Sequence, residues 1–596
     1  MWGGPPGPRG APGPAGLAHQ AGREAGCGAG APPYNGCMRI LLVFALAGLL
    51  TAQEVSQSGL ELKAPRPMVS QPEHARKAMI ASASELASEA GLSILRKGGN
   101  AVDAAVAVAF ALAVVHPEAG NLGGGGYMLV RLTDGTVRAI DYKETAPAAA
   151  HPGMFANRLE STVGYKASAV PGTVAGMGLA HSRFGKLPWE ADLEPARRPA
   201  KDGFPASQRM ELILALQVPV MKQFPETAKI FLHGSDRPLK QGELLTQPEL
   251  AATIARIRKR GWREFYEGET ARLIDRDIAE HNGTIRYDDL RAYKAIERVP
   301  VKGSFRGNLI VSMPPSSSGG VALIEMLNIL ETFPALLGRE GSSEQRHYTI
   351  EAMRRAFRDR AQYAADPGFF EVPIDMLTSK EHARELSHTI EPNRATPLPA
   401  LAPAPGGSYE SDSTTHFSVI DEAGNIVSNT YTLNSFYGSQ VLARGTGVLL
   451  NDIMSGFNNQ AGGRNAIQSG KRPLSSMSFT IVLHPDGSPW FALGSPGSAT
   501  IPNTIFQAIV NIVDFKMSLR DAIEFPRIHH QYLPDRVDAE PAALVFDVAE
   551  KLKSFGHTVN PRLRSQGDVH AIMVEEGTSW RLGWSDGRRG GRARGY

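Results

Sequence analysis

Apolar and polar positions follow two different periods along this chain. From Pro72 to Val115 the spacing is helical and alanine-rich, and "SASELASEAGLSILRKGGNAVDAAVAVAFALAVVHP" divides into two helices. The first is amphipathic and closes at Lys97-Gly98-Gly99-Asn100. The second is apolar on nearly every face and must be buried. "NLGGGGYMLVRL" predicts a glycine hinge into a strand, and "RAIDYKETAP" a further strand closing at Pro147. After a mixed region, "HYTIEAMRRAFRDRAQYAADP" reads as a helix stopped by Asp366-Pro367. Residues 394–411 are rich in Pro, Ala, Gly and Ser and read as a linker. Beyond them "THFSVI", "NIVSNTYTL" and "SFTIVLHPDGSPWFALG" read as strands, with turns at "DEAGN" and "PDG".

The first two of these strands should form a hairpin. A turn centred on Ala423 sets Thr414 opposite Thr432 and Val419 opposite Val427, with Asn434 on the same face as Thr432. A slip of one residue would turn every side chain to the other face, so the constellation depends on register. Thr415 points away from Thr414.

Composition adds limits. Of 596 residues, 42% are hydrophobic and 21% charged, which is ordinary for a globular protein with a large core. Lys plus Arg numbers 63 against 60 for Asp plus Glu, so no electrostatic preference for nucleic acid or an anionic membrane is expected. Residues 1–37 are Gly/Pro-rich without a collagen period and read as a disordered or upstream-translated extension. Met38 and Arg39 then precede an apolar run, Ile40–Leu50, with small residues at Thr51 and Ala52. This is a secretory signal pattern over 38–52, too short for a membrane span. The expected mature chain is exported, periplasmic or extracellular, and begins near Gln53. Both cysteines, Cys27 and Cys37, precede it, which leaves neither disulfides nor a catalytic thiol.

A threonine hydroxyl needs a nearby base to act as a nucleophile. One solution makes it the first residue of a chain, so that its own α-amine takes the proton. For Thr414 this requires a break at the Ser413–Thr414 bond, just after the linker.

"TTHFSVIDEAGNIVSNTYTLNSFYG" resembles the start of the small subunit of γ-glutamyltranspeptidases, which are N-terminal-nucleophile hydrolases. "NLGGGGYMLVR", "VPGTVAGM", "MPPSSSGG", "DRAQYAADP", "GKRPLSSMSFTIV", "GSPGSATIPN", "PRIHHQYLPD" and "SDGRRGG" resemble family blocks in family order. The resemblance implies an α+β fold, a four-layer αββα sandwich autoprocessed into a large subunit, 53–413, and a small catalytic subunit, 414–596, held as a heterodimer. It implies Thr414 as nucleophile and new N-terminus, Thr432 as its hydrogen-bond partner, and Asn434 as a contact to the donor's α-amino group. Ser475 and Ser476 would hold the donor's α-carboxylate with Lys143, and the N–H groups of Gly497 and Ser498 would form the oxyanion hole. The donor would be a γ-glutamyl amide such as glutathione and the acceptor water or an amine or peptide. No metal and no organic cofactor is implied.

Three departures bear on the donor. Lys143 stands where the family has arginine, which keeps the charge and loses the bidentate fork. In "LLNDIMSGFN" Ile453 and Gly456 replace the residues that hold the donor's α-ammonium, and neither side chain can accept a hydrogen bond. The stretch from Phe457 to Lys471 is shorter than in members with a lid loop, so an open pocket that favours hydrolysis is expected. A glutaryl or cephalosporin-type acylase is therefore the alternative, and a matured but non-catalytic binding protein a second one.

Other motifs have plain readings. "GGGG" at Gly123–Gly126 lacks a following Gly-Lys-Ser/Thr and reads as a tight turn rather than a phosphate cradle. His529-His530 with Asp535 offers no third ligand at standard spacing. His416 reads as a satisfied core histidine.

Overall fold

The computed structural model describes residues 71–234, 236–401, 413–562 and 565–596. The extension 1–37, the signal segment 38–52 and most of the 394–411 linker lie outside the described residues, as do both cysteines.

Two seven-stranded sheets form the centre. One runs, in spatial order, Arg592–Gly595, Met79–Ser82, Ser413–Ile420, Ile426–Asn434, Gly125–Arg131, Val137–Tyr142 and Ile296–Arg298. The other runs Glu73–Ala75, Arg581–Ser585, His570–Val574, Pro489–Gly494, Thr480–Leu483, Asn308–Ser312 and Val301–Phe305. Strands from before and after Thr414 are mixed within both. A chain cut at that point would therefore leave two pieces that share both sheets.

Alternation along the strands divides the core. Phe417, Val419, Val427 and Tyr431 pack with the helices Glu85–Arg96 and Ala101–Val115 on one outer face. Ile420, Ile426, Tyr127 and Leu129 pack toward the second sheet, whose own outer face carries Gly319–Glu331 and Thr500–Val513. The order is helices, sheet, sheet, helices, as the resemblance implied. All fifteen residues of Ala101–Val115 are buried, as its unbroken apolar sequence requires. Burying each of its larger side chains contributes ~1.5–3 kcal/mol. Asn100 starts this helix with a capping box, its side chain accepting from Val102 and Asp103 N–H.

One stretch differs from the sequence reading. Glu73–Ala75 and Met79–Ser82, included in the helical pattern, are strands. The run "MIAS" is too short for its period to distinguish strand from helix. It is fixed by pairing on both edges, to Ser413–Ile420 and to Arg592–Gly595. The first part of the expected linker is also anchored, since Ala395 N–H donates to Phe555 O and Thr396 Oγ1 to the Glu351 carboxylate.

The glycine run is a place of close backbone approach. A Cβ on Gly124 would lie 2.1 Å from Thr432 O, and one on Gly126 2.4 Å from Thr430 O. The strand Gly125–Arg131 can therefore lie flat against the hairpin strand Ile426–Asn434.

Candidate functional site: a threonine at a strand bulge

The hairpin has the expected register: Thr414 faces Thr432 and Val419 faces Val427. The register then shifts by one between Ser413 and Thr414, so that Ser413 faces Asn434. The extra residue, Leu433, lies on the partner strand opposite the bond the sequence marks for cleavage, and it takes that bond out of the regular ladder. Asn434 takes a left-handed φ of 81° on the opposite side.

A continuous set of hydrogen bonds surrounds the bond. Thr414 Oγ1 donates to Thr432 Oγ1 at 3.2 Å, and Thr432 Oγ1 donates to Ser413 O at 2.5 Å. Asn434 N–H donates to Thr432 Oγ1 at 2.7 Å, so this hydroxyl has two donors and one acceptor and only one proton position. Ser413 Oγ donates to Glu118 O at 2.6 Å, fixing the other side of the bond. Thr415 lies on the opposite face, with its hydroxyl buried and without a hydrogen-bond partner among the described residues.

The wall of one pocket gathers Lys143, Thr414, Thr432, Asn434, Ser475 and Ser498. Residues far apart in sequence thus meet where the resemblance expects a donor. Apolar neighbours Ile453, Leu474, Met477 and Ile501 complete the wall. Ser475 Oγ accepts Met477 N–H at 3.3 Å, leaving its own proton for a ligand. Ser476 is buried beside it without lining the pocket. Lys143 is 1% exposed and pairs with the fully buried Glu144 at 2.9 Å. With the Ser413–Thr414 bond intact the pocket holds only about 20 Å³, room for about one water. It is thus narrower than the short 457–471 stretch led us to expect, with Thr414 only 5% exposed.

Gly497 and Ser498 form the turn between the strand Pro489–Gly494 and the helix Thr500–Val513. Gly497 has φ of 132°, and a Cβ there would lie 2.4 Å from Thr500 Oγ1. Ser498 takes a left-handed φ of 60°. Its side chain therefore occupies a conformation that suits glycine, at a cost of about 1 kcal/mol. Among the described residues neither N–H is hydrogen-bonded, and both precede the positive end of a fourteen-residue helix. Gly497 itself lines an adjacent cavity, with Ser498 between the two.

Sequence reasoning missed Asp452. It is fully buried behind Asn434, accepting from Asn434 Nδ2 at 3.2 Å, Ser435 N at 2.8 Å and Ser435 Oγ at 2.6 Å. Asn434 Nδ2 also donates to Ser455 Oγ, so its amide is anchored through nitrogen and its carbonyl oxygen is left for the pocket. Burial pushes the Asp452 carboxyl up to about 7 even though these hydrogen bonds favour the ionised form. Its signal in the sequence was its position directly before Ile453.

Residues 87–596 match the Gamma-glutamyltranspeptidase family. The chain belongs to that family. It is similar to a "Glutathione hydrolase proenzyme" of Escherichia coli, 40% identical over 519 residues, which cover 84% of this chain and 89% of that protein. An "Acylase ACY 1 proenzyme" of Pseudomonas sp. is 37% identical over 514 residues, covering 84% and 90%. Among solved structures, the cephalosporin acylase of Bacillus halodurans superposes with a TM-score of 0.81 at 26% identity, covering 90% of this chain and 98% of that one. The fold is therefore that of the N-terminal-nucleophile hydrolases, and this family member is an enzyme with hydrolase and transferase chemistry.

The remaining motifs are engaged within the fold. His416 Nδ1 and Nε2 bond Thr430 and Ser418, and burial holds its imidazole neutral. His529 bonds Asn503 and Gln531, while His530 bonds Asp535, so the two rings serve different partners.

Proposed function

We propose that this chain is a self-cleaving N-terminal-threonine hydrolase and transferase of γ-glutamyl amides such as glutathione. The observation that carries the reading is the Thr414–Thr432–Ser413 hydrogen-bond chain on a strand bulge, inside the pocket that holds Lys143 and Ser475.

In maturation, Thr414 Oγ1 attacks the Ser413 carbonyl carbon while Thr432 Oγ1–H hydrogen-bonds its oxygen. The C–N bond breaks, the departing nitrogen takes the proton, and the product is an ester of Ser413 on Thr414. Water hydrolyses this ester, leaving a Ser413 carboxylate and a free Thr414 amine. The resulting pieces, residues 53–413 and 414–596, remain joined through the shared sheets.

In turnover, the Thr414 amine takes the Oγ1 proton as Oγ1 attacks the donor's side-chain amide. The N–H groups of Gly497 and Ser498 stabilise the oxyanion. The amine leaves with the proton, and water or a second amine resolves the acyl-enzyme. Lys143, Ser475 and the adjacent Ser476 receive the donor's α-carboxylate. Asn434 Oδ1, with Asp452 behind it, receives the α-ammonium, which restores a negative charge near the site from which Ile453 and Gly456 removed one.

The acylase reading retains one specific support: Ile453 puts an apolar side chain on the wall, which suits a glutaryl chain lacking the amine. Export fits the leader pattern at 38–52, and no described helix is long and apolar enough to cross a membrane. The test is a parallel assay of γ-glutamyl and glutaryl anilides with the processed protein. Faster release from the γ-glutamyl compound supports the reading, and equal or faster glutaryl release overturns it.

A further inference from the structure

Three helices in the outer layer over the Thr414 sheet bring one group of ionisable side chains together. Asp103 comes from the first turn of Ala101–Val115, His181 from the last turn of Thr173–Phe184, and Asp192 from the first turn of Trp189–Asp202. Their ligand-bearing atoms all lie within 4.8 Å of one another. None of the three lines the Thr414 pocket.

The two carboxylates are served unequally. Asp103 is fully buried, and both of its oxygens have donors: Oδ2 accepts Asn100 N–H and Oδ1 accepts Lys186 N–H, each at 2.8 Å. Asp192 is also fully buried, yet neither of its oxygens has a hydrogen-bond donor among the described residues. A carboxylate taken out of water in this way is costly and calls for a partner. Among the described residues the only ion-pair partner of either acid is His181, whose Nε2 stands 3.8 Å from Asp103 Oδ1 and 3.5 Å from Asp192 Oδ2. One imidazole can balance one carboxylate at most. Burial, with Asp103 beside it, pushes the Asp192 carboxyl up to about 9. The other two groups of histidine and carboxylate differ in this respect. Arg354 and Arg355 pair with Glu351 beside His347 and His557, and Arg358 pairs with Asp359 beside Glu325 and His382.

The spacing is that of ligands around one small ion. Leu187 O lies 2.9 Å from the same His181 Nε2. Ligands ~2.1 Å from a tetrahedral zinc ion stand ~3.4 Å apart. The three distances from Nε2, at 2.9, 3.5 and 3.8 Å, bracket that value. With its ring proton on Nδ1, His181 offers the Nε2 lone pair to the same point. Trp189 packs across this ring at 5.2 Å and limits its rotation. The His181 side chain keeps 16% exposure, beside the partly exposed turn 185–188, which gives an ion a way in.

We propose that Asp103, His181, Asp192 and the Leu187 carbonyl bind one divalent ion of the zinc class, which clamps the three helices together. One nitrogen and three oxygens suit such an ion, and its two charges meet the two carboxylates. The ion stands outside the reaction and is independent of the amide-cleaving reading. It braces the layer behind the hairpin, where Tyr431 donates its hydroxyl to Ala109 O of the clamped helix Ala101–Val115.

The test needs no turnover and uses the full chain, cut or uncut. The protein is stripped with a chelator, and Zn²⁺, Mg²⁺ or Co²⁺ is added back under titration calorimetry and thermal melting. The wild type should take up one equivalent of Zn²⁺ and melt higher with it, respond little to Mg²⁺, and show the strong visible bands of tetrahedral Co²⁺. Asp192→Asn and His181→Gln should each weaken Zn²⁺ binding by ~100-fold or more, since even an outer partner of a metal ligand is worth ~10–100-fold. Asp192→Leu guards against a folding artefact. It removes the buried carboxylate, so it should melt above the stripped wild type and no longer respond to Zn²⁺. Zn²⁺ binding that is unchanged in Asp192→Asn and His181→Gln overturns the site. So does a wild type that takes up no Zn²⁺, which would leave Asp192 as a buried carboxyl holding a proton. A response to Mg²⁺ equal to that to Zn²⁺ overturns the zinc-class assignment.

Discussion

The Thr432 hydroxyl lies 2.5 Å from the carbonyl oxygen of Ser413 and 3.2 Å from the hydroxyl of Thr414. One side chain thus contacts both the attacking oxygen and the carbonyl that it would attack. Because Asn434 N–H also donates to it, its proton can only point at Ser413 O. Thr414→Ala should leave a single uncut chain where the wild type gives two fragments, the smaller beginning at Thr414. Thr432→Ala should slow cutting by ~10²-fold, the scale of losing one oxyanion donor, and Thr432→Ser should largely restore it. Gel analysis over time with N-terminal sequencing checks both. A fully cut Thr414→Ala protein would refute the maturation scheme.

Asp452 gives a pH signature. Its pKa is raised in the folded protein to about 7, so the folded state holds this proton more tightly than the unfolded chain does. Its contribution to stability is fully present below the ordinary carboxylate range and is lost as pH rises through about 7. Thermal melts from pH 5 to 9 should therefore show a shallower fall for Asp452→Asn than for the wild type. Ionisation also places a negative charge behind Asn434. Preference for γ-glutamyl over glutaryl anilide should rise between pH 6 and 8 in the wild type and stay flat in the variant.

Ile453 and Gly456 set donor choice from the other side. A Cβ on Gly456 would meet only Pro473 at 3.5 Å and Ile453 at 3.7 Å, ordinary contact distances, so a side chain fits there. Gly456→Asp combined with Ile453→Gln should raise γ-glutamyl over glutaryl selectivity by about 10-fold or more, as a charge-assisted hydrogen bond to the ammonium is added. The ratio of kcat/KM for the two anilides reads this directly.

Ser498 holds its left-handed φ of 60° with a side chain attached. Ser498→Gly should stabilise the protein by up to ~1 kcal/mol while keeping the N–H that the oxyanion needs. Ser498→Pro removes that N–H and, with its φ locked near −65°, also breaks the left-handed turn, so kcat should fall by at least ~10²–10³ and the denaturant midpoint should fall with it. Denaturant midpoints and steady-state rates test the pair.

Lys143 and Glu144 form a pair with almost no exposure. Lys143→Ala should cost ~3–5 kcal/mol of stability by leaving a buried carboxylate unpaired, in addition to weakening donor binding. Lys143→Ala/Glu144→Gln should recover much of the stability and none of the binding, which separates the two roles by melting temperature and KM.

The sequence by itself determined the parts governed by short-range rules. A period of two and a Gly-Asn turn set the hairpin register, and therefore set Thr414 against Thr432 and turned Thr415 away. An unbroken apolar run required the burial of Ala101–Val115. Only the tertiary structure decided the rest. Met79–Ser82 is a strand because two strands, one more than three hundred and one more than five hundred residues later in the chain, pair with its edges, and no local period records that. Asp452 is a proton-holding group because of what covers it. Ser498 lies between two cavities because a strand from one sheet ends beside the bulge of the other. Desolvation and surface shape depend on neighbours that the chain supplies from hundreds of residues away, and they become definite only once both sheets are closed.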